Sequence, residues 1–126
     1  MSDWKVRIDE AKNRLYLTLD GQLSVAEAEA AADEVIAKSG RLEPGFDEVN
    51  DMRTFKTTDE AALEHIERGK RGIVENGVAA VCRVVSESAT GQMQFDRAGE
   101  GAEEYPVAKA DSVEEAEKLL DSRRSG

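Results

Sequence analysis

The sequence predicts an α/β protein: a mixed, mostly parallel sheet of about five strands, opened by an antiparallel hairpin and accompanied by about four helices, in the order β-β-α-β-α-β-α-β-α. Three observations predict it. Two runs near the start alternate apolar and polar residues with the period of two expected of half-buried strands. Ser24-Val-Ala-Glu27, Thr57-Thr-Asp-Glu60 and Ser112-Val-Glu-Glu115 each place a capping hydroxyl before an acidic first turn and an apolar stripe at helical spacing. Short apolar runs separate the helices, and strands joined by helical crossovers favour parallel pairing.

The first two strands carry Trp4, Val6 and Ile8, then Leu15, Leu17 and Leu19. The polar stretch Glu10 to Asn13 between them suits a hairpin, and Asp20-Gly21 ends the second strand. From Ser24 to about Lys38, Val25, Ala28, Ala31, Ala32, Val35 and Ile36 share one helical face. Gly40 is expected to close this helix in the left-handed conformation, and Pro44-Gly45 to turn the chain. Phe46 to Arg53, with Phe46, Val49 and Met52, reads as the third strand.

The second helix is expected from about Asp59 to Glu75, capped by Thr57, with Ala62, Ile66, Gly69 and Ile73 on its inner stripe. Gly69 costs about 1 kcal/mol in a helix relative to Ala, so it should permit close approach to the sheet. Asn76-Gly77 ends the helix, and Val78 to Val85 has the continuous apolar character of a central strand covered on both faces. Ser88 to about Arg97 reads as a third helix offering Met93 and Phe95 for packing, and Ala98 to Glu104 as a loop. Tyr105 to Ala110 is an edge strand, since Pro106 lacks a donor. The last helix, Ser112 to about Ser122, aligns Val113, Ala116, Leu119 and Leu120, and Ser125-Gly126 should fray.

With 126 residues, 40% of them hydrophobic, the chain suits one domain, 1–126. Its 27 acids against 17 bases give a net charge of −10, which argues against nucleic acid as a partner. Cys82, the one cysteine, sits in an apolar run and reads as a small buried hydrophobe in a reducing compartment. The first residues show no apolar signal core, and no stretch reaches the ~20 apolar residues of a membrane span, so a cytoplasmic location is expected.

Asp51, Arg53, Thr57, Thr58 and Asp59 gather where a strand's carboxyl end meets a helix start. Open α/β sheets receive ligands or partners at such edges, because unpaired N–H groups and the helix dipole favour anions there. The competing reading is local: Thr57 caps, Asp59 complements the dipole and Asp51 bonds a neighbouring loop. His65 stands without a second histidine or a suitably spaced cysteine, so neither a metal site nor a histidine-based triad is expected. Arg68-Gly-Lys-Arg-Gly72 falls inside a helical pattern and reads as a solvated face. Glu103-Glu104 and Glu114-Glu115 read as solvated surface. Arg83 interrupts an apolar strand, and either snorkels to one end of the sheet, the favoured reading, or pairs with a carboxylate such as Asp51. No cofactor motif and no catalytic constellation is recognisable.

The element order, with Asn50-Asp51-Met-Arg-Thr-Phe55 leading into Thr57-Thr58-Asp59 and Tyr105-Pro-Val-Ala-Lys-Ala-Asp-Ser-Val-Glu-Glu-Ala116 leading into the last helix, resembles the STAS superfamily of anti-sigma factor antagonists and lipid-binding relatives. The resemblance implies a small α/β domain that docks to partners or holds a small ligand. In the switching antagonists the third strand ends in an aspartate, which Asp51 matches, and an Asp-Ser-Ser-Gly segment presents a phosphorylatable serine at the second helix. Thr57-Thr58-Asp59-Glu60 departs from that segment, which points to a non-switching relative. The leading expectation is a non-enzymatic interaction or regulatory domain with a protein partner at the Asp51–Asp59 edge. The alternative is a small apolar ligand or lipid held between the sheet and helices two and three. Apolar faces on Trp4 and the hairpin could also carry a homodimer.

Overall fold

The computed structural model describes residues 2–125. They form β1 (Asp3–Asp9), β2 (Arg14–Asp20), α1 (Val25–Ser39), β3 (Asp47–Asp51), α2 (Glu60–Glu75), β4 (Ala80–Val84), α3 (Ala89–Arg97), a 3-10 turn (Glu100–Ala102), β5 (Val107–Ala110) and α4 (Val113–Ser125). The strands lie in chain order in one sheet, β1-β2-β3-β4-β5. β1 and β2 pair antiparallel, and every later pair is parallel. The expected fold class and element order are both present. Among the described residues, no helix is long and apolar enough to cross a membrane.

Local chemistry explains most boundaries. Ser24 accepts a hydrogen bond from the Glu27 N–H while the Glu27 carboxylate accepts one from the Ser24 N–H, the reciprocal box that the sequence predicts. Ser112 likewise accepts from the Glu115 N–H. α2 differs: its N-cap is Asp59, whose side chain makes no capping bond, and Thr57 lies outside the helix. Gly40 also departs from expectation, ending α1 at φ −65°, because its N–H still reaches the carbonyls of Ile36 and Lys38 without a left-handed turn. Gly126, half of the pair expected to fray, lies outside the described residues.

The sheet separates two apolar layers. On one face Val6, Leu15, Leu17, Leu19 and Val81 meet Val35 of α1, Ile73 of α2 and Phe95 of α3. On the other, Tyr16, Val49, Cys82 and Val84 meet Ala116 and Leu120 of α4. Leu119, expected on that inner face, is 41% exposed, since among the described residues α4 alone covers this side and its stripe is narrow. β4 is fully buried, as predicted, but β3 is the middle strand of the five.

α2 lies chiefly against α1, and its backbone stands off the strands. Gly72 allows the helix pair to close up, since a Cβ there would come within 2.4 Å of the Ile36 side chain, whereas one on Gly69 would meet Ala32 at 3.9 Å, an ordinary contact. Gly72 therefore serves approach to α1, and the approach of Gly69 to the sheet that the sequence suggests is not made. The space left between α2 and the central strands is where the polar residues of β3 and β4 point.

Candidate functional site

Along β3 the alternation of a strand sends Asp47 and Val49 to the α4 layer and Glu48 and Asn50 to the layer of α1 and α2. Arg83 of β4 faces the same way, and Asn50 and Arg83 are neighbours in register. The middle of the sheet thus presents three polar side chains to a helix layer that is apolar apart from His65 and Lys70. All three are buried, with 2–3% of their surface exposed. They line an interior cavity of about 50 Å³ together with Leu17 and Leu19 of β2, the alanines of α1, and His65, Gly69 and Lys70 of α2.

Within this wall three atoms lack any hydrogen-bond partner: Glu48 Oε1, Asn50 Oδ1 and Arg83 Nε. Burying such groups unpaired costs about 1–3 kcal/mol each, more for charged ones, so orphans are rare and commonly mark function. The rest of the cluster is well paired. Arg83 Nη1 donates to Asp96 at 2.9 Å and Nη2 to Glu103, while Lys109 reaches the other Asp96 oxygen at 2.8 Å. Lys70 Nζ donates to the Phe95 carbonyl at 2.6 Å, lies 3.3 Å from Glu103 and sits 4.5 Å from the centre of the Phe95 ring.

Arg83 therefore neither snorkels nor pairs with Asp51. Its carboxylates come from α3 and from the loop that follows, because Arg83 projects towards α3 while Asp51 stays at the end of β3. Glu103, expected in solvent, is drawn inwards by two cations, and Glu104 stays exposed.

Burial dominates the protonation of this cluster. Removal from water pushes Glu48 up to about 7, against the opposing pull of Arg83 and Lys70. Burial and the nearby Arg83 charge bring Lys70 down to about 8, with Glu103 pulling the other way. The Tyr105 hydroxyl is raised too, first by burial and then by the charges of Glu48 and Glu103.

The residues singled out at the strand and helix edge are only partly brought together. Asp51 and Arg53 form a bidentate pair at 3.0 and 2.9 Å. Burial opposes ionisation of Asp51, yet the Arg53 guanidinium and N–H hold its carboxyl below the usual range. Arg53 and Thr57 line an open groove of about 630 Å³ with Asp20, Lys56, Glu87 and Ser88. Thr58 points the other way: it is 5% exposed, donates to the Leu23 carbonyl at 2.6 Å and exchanges hydrogen bonds with the Gln94 side chain. Phosphorylation there would have to break the bond from the hydroxyl to Leu23. Asp59 stands at the head of α2, outside the groove.

The groove and the interior cavity share a wall, since α3 carries Phe95 and is pinned to the groove through Gly91. A Cβ at Gly91 would lie 2.0 Å from the Lys56 carbonyl oxygen, a backbone atom that cannot swing aside. Gly91→Ala is expected to lower stability by about 1–3 kcal/mol, read as a lower urea midpoint at unchanged slope.

His65 is half-buried at the cavity wall, 3.7 Å from Glu29, and stays apart from Cys82 on the opposite side of the sheet. The Cys82 thiol is pushed up by burial and by the charge of Glu115, which disfavours a thiolate nucleophile. Comparison with family models and with curated proteins returns no match to this chain.

Proposed function

We propose that this chain is a non-enzymatic, STAS-like domain that binds a small molecule in the cavity between its sheet and helices α1 and α2. The single observation that carries this reading is the set of orphaned atoms on Glu48, Asn50 and Arg83, facing one apolar space. A core made for stability alone would place aliphatic residues there. Polar groups retained at such cost are supported by the hydrogen bonds a ligand would supply. The cavity expected from sequence lay between the sheet and helices two and three; the one observed lies between the sheet and helices α1 and α2, with Phe95 of α3 among its lining residues. Absence of turnover is supported by the use of the available hydroxyls as structural partners: Thr58 ties to Leu23, and Ser88 caps α3.

Native mass spectrometry of protein purified from its own cells tests the proposal. The expected spectrum contains a species heavier than the apo chain by one small molecule, lost in an Ala32→Leu variant whose larger side chain fills the cavity. Apo mass throughout would overturn the reading.

A second reading, docking of a protein partner in the Arg53–Thr57 groove, is favoured by that groove's openness and by Arg53 and Lys56 within an acidic chain. It predicts that Arg53→Glu combined with Lys56→Glu weakens partner binding several-fold and leaves cavity occupancy unchanged, as calorimetry and mass spectrometry would show.

A further inference from the structure

Size and charge narrow what the cavity can hold, granting the ligand-binding reading above. A single water takes roughly 10–15 Å³ of interior space. The cavity, at about 50 Å³, therefore admits a species of a few non-hydrogen atoms and leaves no room for an alkyl body.

Charge selects among such small species. Lys70, Arg83 and Lys109 are joined to Asp96 and Glu103, three cations against two carboxylates. Each carboxylate is shared: Glu103 between Lys70 and Arg83, Asp96 between Arg83 and Lys109. Lys70 and Arg83, whose side chains are 4% exposed, thus have no carboxylate to themselves, and the group keeps one positive charge in excess.

Glu48 is the carboxyl group that lines the cavity, yet it is poorly placed to balance that charge. Its Oε1 has no hydrogen-bond partner, and Arg83 and Lys70 pair with Asp96 and Glu103 instead, an environment that favours the uncharged acid. The other titratable groups facing this space are His65 and Lys70 on α2, Arg83 on β4 and Tyr105 ahead of β5, while α1 and β2 contribute apolar residues. With Glu48 as the acid, every orphaned side chain can donate. Arg83 Nε carries an N–H, Glu48 an O–H, and Asn50 presents its NH₂ once the amide is turned over. Water in the same place would leave the excess charge unmet, and a cation would add to it.

We propose that the cavity binds a small monovalent anion, of the size of a halide, together with a proton carried by Glu48. Arg83 Nε, the Asn50 amide and the Glu48 acid donate to the anion, and Leu17, Leu19 and the α1 alanines shield it from water.

The test is a proton–nitrogen NMR titration of the full chain with sodium chloride, run beside sodium sulfate at matched ionic strength. Chloride is expected to shift the amides of Leu17, Asn50 and Arg83 saturably, and sulfate, larger and doubly charged, to leave them in place. Because binding carries a proton to Glu48, chloride affinity should fall about fourfold from about pH 5.5 to about 7.5 in the parent chain and change less than about twofold in Glu48→Gln. Asn50→Leu replaces an orphan at nearly constant shape, should fold at least as well as the parent chain and should lose about tenfold in chloride affinity. Equal shifts with sulfate, an unchanged affinity in Asn50→Leu, or a pH dependence that persists in Glu48→Gln through His65 or Lys70 would overturn the assignment and leave the interior site standing. No saturable shift with chloride, while native mass spectrometry finds a copurified molecule, would also overturn the assignment alone. No shift together with apo mass throughout would overturn both readings.

Discussion

Arg14→Met is expected to lower the unfolding free energy by about 3–5 kcal/mol, the range for stranding a buried charge. Arg14 is fully buried on the α4 face of β2 and faces Asp47, its register neighbour on β3. Its Nε and Nη2 donate to the two Asp47 oxygens at 2.6 and 3.1 Å, and Nη1 donates to Glu117 of α4 at 2.6 Å. Glu117 also accepts from the Tyr16 hydroxyl at 2.8 Å. Removing Arg14 leaves Asp47, itself 1% exposed, with Arg124 at 2.9 Å as its remaining cation. The measurement is the urea midpoint at constant slope. Arg14→Met combined with Asp47→Leu should recover most of the loss, because an apolar pair of similar volume needs no counter-charge. A single-variant loss under about 1 kcal/mol would mean that Arg124 and solvent suffice for Asp47.

Glu48→Gln is expected to act in the opposite direction and to stabilise the protein at alkaline pH. In the folded state burial lifts the Glu48 carboxyl from 4.5 to about 7. Between those values the native chain binds more protons at this site than the unfolded chain does, so stability falls as pH rises. The contribution of the protonated form is fully present below 4.5 and lost above about 7. A shift of this size corresponds to a loss on the order of 3 kcal/mol. Glutamine keeps the shape and polarity of the protonated acid without titrating. The variant should therefore match the parent chain near pH 4 and exceed it by up to about 3 kcal/mol at pH 8. Lys70, lowered to about 8 from 10.5, titrates at the upper end of this range in both chains, so the effect of Glu48 is read as the difference between variant and parent at each pH. Paired denaturation curves across the range provide the check. A destabilised Glu48→Gln at pH 8 would instead identify the carboxylate as a counter-ion that Arg83 and Lys70 require.

The two predictions concern opposite faces of one strand, and they differ in how far the sequence foreshadowed them. Asp47, Glu48, Asn50 and Asp51 make β3 look like a weak, polar strand, recognisable mainly from the helices on either side. Polar residues on both faces of a middle strand were the one available signal that this strand carries something other than core. The signal cannot be resolved locally, because the partners of these residues are remote in sequence: Arg14 lies 33 residues from Asp47, and Arg83 lies 20 from Glu103. Glu103 looks like surface within its own acidic loop and becomes a partly buried partner of two cations only when α3 folds over Arg83. The edge residues fared unevenly for a similar reason. Asp51 and Arg53, two positions apart, pair as local chemistry suggests, whereas Thr58 is turned inwards by Leu23 and Gln94, 35 and 36 residues away.

The sequence by itself determined the α/β class, the antiparallel opening, the order of elements and the caps of α1 and α4, since these rest on periodicity and on bonds spanning about four residues. Only the tertiary structure decided that α2 leans on α1 and stands off the sheet, and that Glu48, Asn50 and Arg83 look into the space beneath it. The physical reason is that burial belongs to the assembled layers. A strand's alternation says which residues share a face, but whether that face meets an aliphatic layer or an unfilled cavity depends on how closely the covering helices can pack.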